Sequence, residues 1–130
     1  GGVDTLDSYG FGGSLDFLPD SHVEFFESLV DFHEESDHFF THAAYAPKIP
    51  LAEQATDMLR WHSLNDVVPT PHLNGKIAVV GHTANKTGEI MDLGHLVCID
   101  TYCYGGGWLT ALDLCNGQIW QVSKEGQMRA

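Results

Sequence analysis

The sequence predicts an α+β fold in which helices lie mainly before residue 76 and strands dominate after it. Two segments, from Ser21 to about Leu29 and from Leu51 to Trp61, carry apolar residues at helical spacing. From Ile77 onward, short apolar runs are separated by Gly, Asn and Asp, a pattern typical of strands and tight turns. At 130 residues the chain has the length of one small domain.

The first 30 residues are predicted to hold one helix. Gly1 to Pro19 is rich in Gly and Asp and is predicted to be irregular. Ser21 is followed three residues later by Glu24, which fits a capping box at the start of a helix. Val23, Phe26 and Val30 would share one face of it.

The middle of the chain is predicted to contain a hairpin and a second helix. Apolar and polar residues alternate from Val30 to His42 around a turn at Ser36-Asp37, which indicates a β-hairpin with His42 on its second strand. A helix continuing through Glu34 is the alternative. Pro50 stands where a proline starts a helix, before Leu51 to Trp61.

The last third is predicted to be built of strands. Ile77 to Gly81 is a continuous apolar run, as expected of a central strand buried on both faces. Asn116-Gly117 is a hairpin turn, and Gly105-Gly106-Gly107 is a turn or bulge rather than a ligand site. The other predicted strands are Glu89 to Asp92, His95 to Asp100, Leu109 to Leu112 and Gln118 to Val122.

Two histidines follow apolar runs in the same way. Phe39-Phe40-Thr41 leads to His42, and the run from Ile77 to Val80 leads through Gly81 to His82. Since binding sites in layered folds lie at strand ends, these histidines indicate one metal site assembled from distant parts of the chain. Imidazole suits manganese, iron or zinc, so the pair does not fix the metal.

The ordered motifs resemble those of the calcineurin-like metallophosphoesterases, bacterial serine/threonine protein phosphatase branch. His42-Ala43-Ala44 is similar to the family's His-Ala-Gly or His-Ala-Asn, and Gly81-His82-Thr83 to its Gly-His-Thr. The resemblance covers nearly the whole chain. It also includes Ser8-Tyr9-Gly10, Pro50-Leu51, Leu59-Arg60-Trp61, Pro71-His72, Gly75-Lys76 and the block from Cys98 to Asp113.

The resemblance implies that residues 1–130 are the C-terminal part of a metallophosphoesterase domain. The expected fold is the C-terminal half of a four-layer α/β/β/α sandwich. The family's Gly-Asp-x-x-Asp-Arg-Gly and Gly-Asn-His-Glu motifs do not occur in the sequence, and Asp20-Ser21-His22 and Asp31-Phe32-His33 are interpreted as chance Asp-x-His matches. By itself the chain is therefore expected to be inactive and a poor stand-alone domain.

The resemblance also implies a chemistry. The intact family uses two divalent metal ions, Mn, Fe or Zn, to activate a water that attacks phosphorus. His42 and His82 would complete one metal position, with no catalytic residue present here and substrate-binding residues unknown. The expected activity is serine/threonine protein phosphatase, acting on a phosphoprotein or a small phosphoester. The alternatives are a dinucleoside tetraphosphate hydrolase of the same family and a non-catalytic remnant or binding module.

Other polar residues are given structural roles. His72 is predicted to be an exposed loop histidine, with support of a metal ligand as the alternative. Asp100 is predicted to be a turn cap or a partner of His82. Tyr102 and Tyr104 are expected to pack, although they could line a substrate opening. No arginine follows Trp61, so the sequence either lacks the family's phosphate-binding arginine or uses Arg60 in its place.

The composition limits the kinds of molecule that the protein is expected to bind. A net charge of −12 argues against nucleic-acid binding, and no apolar run is long enough to span a membrane. A phosphate substrate would be repelled unless metal ions reversed the local charge. Cys98, Cys103 and Cys115 lack Cys-x-x-Cys spacing, which indicates reduced thiols in a cytoplasmic protein. Partner proteins cannot be predicted.

Overall fold

The computed structural model describes residues 2–14 and 17–130, which divide into two compact units. The first unit runs to Val30 and the second from Asp31 to Ala130. In the described part of the chain, no helix is long and apolar enough to cross a membrane.

The first unit contains two short helices, α1 (Gly2–Ser8) and α2 (Asp20–Glu27). The prediction of an irregular segment before Pro19 is wrong for α1. This helix ends in a motif that the sequence contained: Gly10 has φ +71°, and the amides of Gly10 and Phe11 donate to the carbonyls of Asp7 and Leu6. A glycine two residues past the last residue of a helix is the signal that was missed.

The predicted capping box of α2 is also wrong. The helix begins at Asp20 with Pro19 as its cap residue, and no side chain caps it. The Pro19 carbonyl accepts the amides of His22 and Val23, so Ser21 lies inside the first turn. None of the α2 residues is buried, so the predicted face of Val23 and Phe26 has no buried contact.

A mixed five-stranded sheet forms the second unit's centre, in the spatial order β1-β2-β3-β5-β4. β2, β3 and β5 are parallel, and the edge strands β1 and β4 run antiparallel to their neighbours. The strands are β1 (Phe32–Glu34), β2 (His38–Thr41), β3 (Ile77–Val80), β4 (Met91–Asp92) and β5 (Leu96–Cys98). The predicted hairpin is confirmed as β1 and β2, with His42 just past the end of β2 rather than on it.

The predicted central strand is confirmed as β3, with Ala78, Val79 and Val80 all buried. The register aligns Phe39, Ala78 and Leu96 across three strands, and Val80 opposite Cys98. Because alternate residues share a face of a sheet, these five form one face of the core. Tyr45, Leu51 and Leu64 pack against them.

A separate two-stranded ribbon follows the sheet. It consists of β6 (Leu109–Leu112) and β7 (Ile119–Val122), joined through the predicted Asn116-Gly117 turn. Cys103–Gly105 is a 3-10 helix, and a Cβ at Gly107 would lie 1.9 Å from the Thr101 carbonyl oxygen. The three glycines therefore serve a tight turn, as predicted.

The predicted helix from Leu51 to Trp61 is broken in two. A 3-10 helix spans Leu51–Glu53, α3 spans Thr56–Trp61, and Gln54 and Ala55 between them are extended. The Gln54 side chain explains the break: it pairs with both the amide and the carbonyl of Ala46 and donates to the Ile49 carbonyl. Gln54 makes these contacts with its backbone in an extended conformation, and this interrupts the helix.

Candidate metal and phosphate site

His42 and His82 are brought together by the parallel pairing of β2 and β3. Parallel strands end at the same edge of a sheet, and each histidine lies just past the end of its strand. Their ring centroids are 5.1 Å apart and the planes are inclined at 62°. The expected proximity is therefore present, although 40 residues separate the two in sequence. Their role as metal ligands stays a prediction.

Backbone hydrogen bonds hold the two histidine segments to each other and to α3. The Gly81 amide donates to the His42 carbonyl at 2.9 Å, and the Ala43 amide donates to the Leu59 carbonyl at 2.8 Å. Ala43 and Ala44 are fully buried, so the methyl groups of both residues pack inside the second unit. The side chain of His42 stays exposed at the surface.

The backbone at His82 is strained. His82 has φ +63°, and the Thr83 amide donates to the Gly81 carbonyl at 2.6 Å. This i to i+2 bond with positive φ makes a γ-turn of the rare, strained kind. Strain of this sort persists only where the surroundings enforce it, and it is concentrated at functional sites. Here Leu64 enforces it, since its amide donates to the Thr83 hydroxyl.

Electrostatics favour a neutral His42. Partial burial lowers the pKa of His42, and the neighbouring His82 and Arg60 act in the same direction. Asp100 opposes them by raising that pKa. The neutral ring is the form that binds metal ions, so His42 suits a ligand role.

Asp100 and Arg60 lie close enough to His42 to affect it, but both have other partners. The Asp100 carboxylate accepts the Tyr102 amide at 3.2 Å, which confirms the predicted turn cap. Arg60 forms an ion pair with Asp31, with the two closest contacts at 2.5 and 2.6 Å. These contacts use Nε and one terminal nitrogen of the guanidinium, so the other terminal nitrogen keeps its N–H donors.

Trp61 is a neighbour of the histidines that the sequence did not predict. Its ring meets the His82 ring edge-on, with centroids 6.1 Å apart, while 70% of the residue is exposed. Trp61 lies in the last turn of α3, and the hydrogen bond between Ala43 and Leu59 brings this helix to the site. Because that contact joins residues far apart in sequence, the position of Trp61 could not be predicted from the sequence pattern.

His72 and Cys98 have structural contacts. His72 is 3% exposed and pairs with the Ile49 carbonyl at 2.9 Å, so the prediction of an exposed loop histidine is wrong. The three cysteines are free, as predicted. Burial raises the pKa of Cys98, whose thiol donates to the carbonyls of Gly81 and Thr83 and so supports the loop as a neutral group.

Within residues 2–14 and 17–130, no three side chains of His, Cys, Asp or Glu are grouped closely enough to hold a metal ion. The pair of histidines is therefore the whole of the candidate site in that part of the chain. Two imidazoles supply half of a usual four-ligand site.

One solved structure shares this fold at low identity. It is described as the crystal structure of a "putative diadenosine tetraphosphatase". The TM-score is 0.63 and the identity 19%, over 92% of this chain and 61% of that one. This chain thus spans about three fifths of the length of that structure. No protein-family model and no curated protein sequence matches the chain.

At this identity the likeness establishes the fold. A mixed sheet with few helices confirms the predicted α+β class, with strands dominating after residue 76, and is compatible with part of a calcineurin-like sandwich.

Proposed function

We propose that the chain is the C-terminal part of a metal-dependent phosphoesterase-type hydrolase in which His42 and His82 bind one divalent ion. The observation that carries the proposal is the pair of rings 5.1 Å apart at the ends of adjacent parallel strands. The strained turn at His82 and the fold of the solved neighbour support it.

The residues present fit such an ion. Both are imidazoles, and the lowered pKa of His42 favours its neutral ring, in which one nitrogen carries no proton and can bind a metal ion. Manganese, iron or zinc is compatible with this donor set. When bound, a divalent ion would act as a Lewis acid and lower the pKa of a coordinated water. It would also supply the positive charge that a chain of net charge −12 needs beside an anionic substrate.

Two substrate classes compete within this proposal. The motif resemblance favours serine/threonine phosphoproteins. The solved neighbour is described as a diadenosine tetraphosphatase, and this favours the dinucleoside polyphosphates. We place the dinucleoside class first, because it is supported by the fold of the chain as well as by the shared motifs. A non-catalytic binding module is the third reading, and it requires no metal at the histidine pair.

Metal titration tests the proposal. We expect the chain to bind Zn²⁺ or Co²⁺ weakly, because two ligands are fewer than a stable site uses. His42→Ala and His82→Ala should each weaken binding by at least about tenfold, the usual order of effect when a metal site is disturbed. His33→Ala is the matched control, since His33 is exposed and its ring pairs with the Glu35 carboxylate.

Calorimetry, or the visible absorbance of Co²⁺, would measure the affinity. If His33→Ala weakened binding as much as the two site variants, the metal would be bound by surface histidines in general and the proposal would fail.

A further inference from the structure

A polar pocket lies on the loop that carries His82. It has a volume of about 320 Å³, roughly ten times the volume that one water occupies in the liquid. It lies entirely within the second unit. Its lining residues are Asn65, Thr83, Ala84, Asn85, Lys86 and Met91. No carboxylate is among them, although the chain as a whole is strongly acidic.

Lys86 is the notable member of this lining. The chain has six lysines and arginines, and four of them, Arg60, Lys76, Lys124 and Arg129, form ion pairs. Lys86 and Lys48 have no carboxylate partner among the residues that the structure describes. Lys86 thus lines the pocket and has no carboxylate partner in the described part of a protein that has three times as many acidic as basic residues.

Two other lining residues carry hydrogen-bond donors that are unused among the described residues. The Asn65 side chain has no hydrogen-bond partner in the described part of the chain. The Thr83 hydroxyl accepts the Leu64 amide at 2.9 Å, which leaves its own proton without an acceptor there. An ammonium group, a primary amide and a hydroxyl proton together form a donor set suited to an anion with several oxygens.

The wall of the pocket is held rigidly. The Asn85 amide donates to the Asp100 carbonyl at 2.9 Å, and the Asn85 side chain donates to the Glu89 carbonyl at 2.8 Å. The nearby Glu89 carboxylate is neutralised by Arg129. A site that is already formed loses little entropy on binding.

The pocket must lie near the histidine pair. Lys86 is four residues after His82, and four residues span at most about 14 Å even when fully extended. This span matches a ligand that places one phosphate at the histidines and another further along the same chain of phosphates.

We propose that the pocket lined by Asn65, Thr83 and Lys86 binds a phosphate group of an oligophosphate chain. The assignment of this chain to the substrate rests on the proposed function. The anion binding itself does not, because it needs neither the histidines nor a metal ion.

Binding of tripolyphosphate in EDTA-containing, low-salt buffer tests the inference without metal. Lys86→Gln should weaken binding by roughly tenfold, the usual effect of losing a hydrogen bond to a charged group. Lys48→Gln removes the same charge from the other unpaired, exposed lysine and should change affinity by less than twofold. His42→Ala/His82→Ala should also bind as the wild type does. NMR shifts of the Asn65 side-chain amide would place the ligand in the pocket.

Three results would overturn the inference: no binding of tripolyphosphate at millimolar concentration, an equal loss in Lys48→Gln, or equal affinity for inorganic phosphate and tripolyphosphate. Either of the first two results would show that the pocket is not an anion site. The third would show that the pocket does not recognise an oligophosphate chain. If the histidine variants retained metal binding, the proposed function would fail while the result at Lys86 stood, so the two failures can be told apart.

Discussion

His82 combines a strained backbone with a side chain that we assign to metal binding. Among the described non-glycine residues, only His82 and Tyr102 have positive φ. A side chain in this region costs about 1–2 kcal/mol, because its Cβ crowds the following carbonyl. Two residues hold this loop in place. The Leu64 amide donates to the Thr83 hydroxyl, and the Cys98 thiol donates to the carbonyls of Gly81 and Thr83.

We predict that His82→Gly will be more stable than His42→Gly by about 1–2 kcal/mol. Glycine relieves the positive φ at residue 82, whereas at residue 42 it only adds flexibility to the unfolded chain. Urea unfolding of the two variants measures the difference, and both should lose metal binding. If His82→Gly were the less stable of the two, the γ-turn would not be strained.

Sequence patterns predicted that His42 and His82 would lie close together, because both follow apolar runs that form strands. The apolar runs before His42 and His82 become the neighbouring parallel strands β2 and β3, so both residues reach the same edge. Trp61 and Asp31 could not be connected with this edge, because their contacts with His82 and Arg60 join segments far apart in sequence. His72 was misjudged because a proline-flanked loop favours exposure, whereas Gln54 and the Ile49 carbonyl fix the ring inside.

At the scale of elements, strands were predicted better than helices. Strand positions follow from apolar runs, and the run at β3 becomes the centre of the sheet. The helices are six to eight residues long, and isolated helices of this length are marginal. Their bounds depend on particular contacts, such as the Gln54 side chain after Glu53 and the Gly10 turn after α1.

Arg129 contacts Glu89, Gln121 and Trp108. Its guanidinium pairs with the Glu89 carboxylate, donates to the Gln121 side chain at 2.8 Å, and lies 5.4 Å from the centre of the Trp108 ring. Its amide also donates to the Gln121 carbonyl at 2.9 Å. Arg129 therefore joins β7 to the loop that precedes β4.

The Glu89–Arg129 pair should make stability depend on pH. Hydrogen bonding to Arg129 lowers the pKa of Glu89 below its ordinary value of 4.5. A carboxylate with a lowered folded-state pKa stabilises the fold above its unfolded pKa, and this contribution is lost as the pH falls through the folded value. Glu89→Gln should therefore unfold at a lower urea concentration than the wild type at pH 7, and the gap should close below about pH 4.

Glu125→Gln is the control for this experiment, because Glu125 and its neighbour Lys124 are exposed and 3.8 Å apart. Such pairs contribute little to stability. A gap between wild type and Glu89→Gln that stayed constant down to pH 3 would show that Arg129 acts by packing against Trp108 instead.

On the scale of the whole molecule, the β6–β7 ribbon leaves apolar surface in contact with solvent. Directly opposite residues share a face, and the register pairs Leu109 with Val122 and Ala111 with Trp120. Leu109 is 63% exposed and Trp120 47% exposed. A two-stranded ribbon is only marginally stable by itself, so an uncovered apolar face on it favours association.

We predict that the chain will self-associate as its concentration rises, and that Leu109→Thr/Trp120→Thr will reduce this association. Threonine keeps a strong strand preference, so the ribbon should survive the change. Leu93→Thr is the matched control, because Leu93 is 46% exposed but lies in the turn between β4 and β5. Light scattering coupled to size-exclusion chromatography measures the mass, and a dye that binds apolar surface reports the exposed face. A wild-type chain that stayed monomeric to millimolar concentration would show that this face does not drive association, and an equal effect of Leu93→Thr would show that exposed apolar residues act without regard to position.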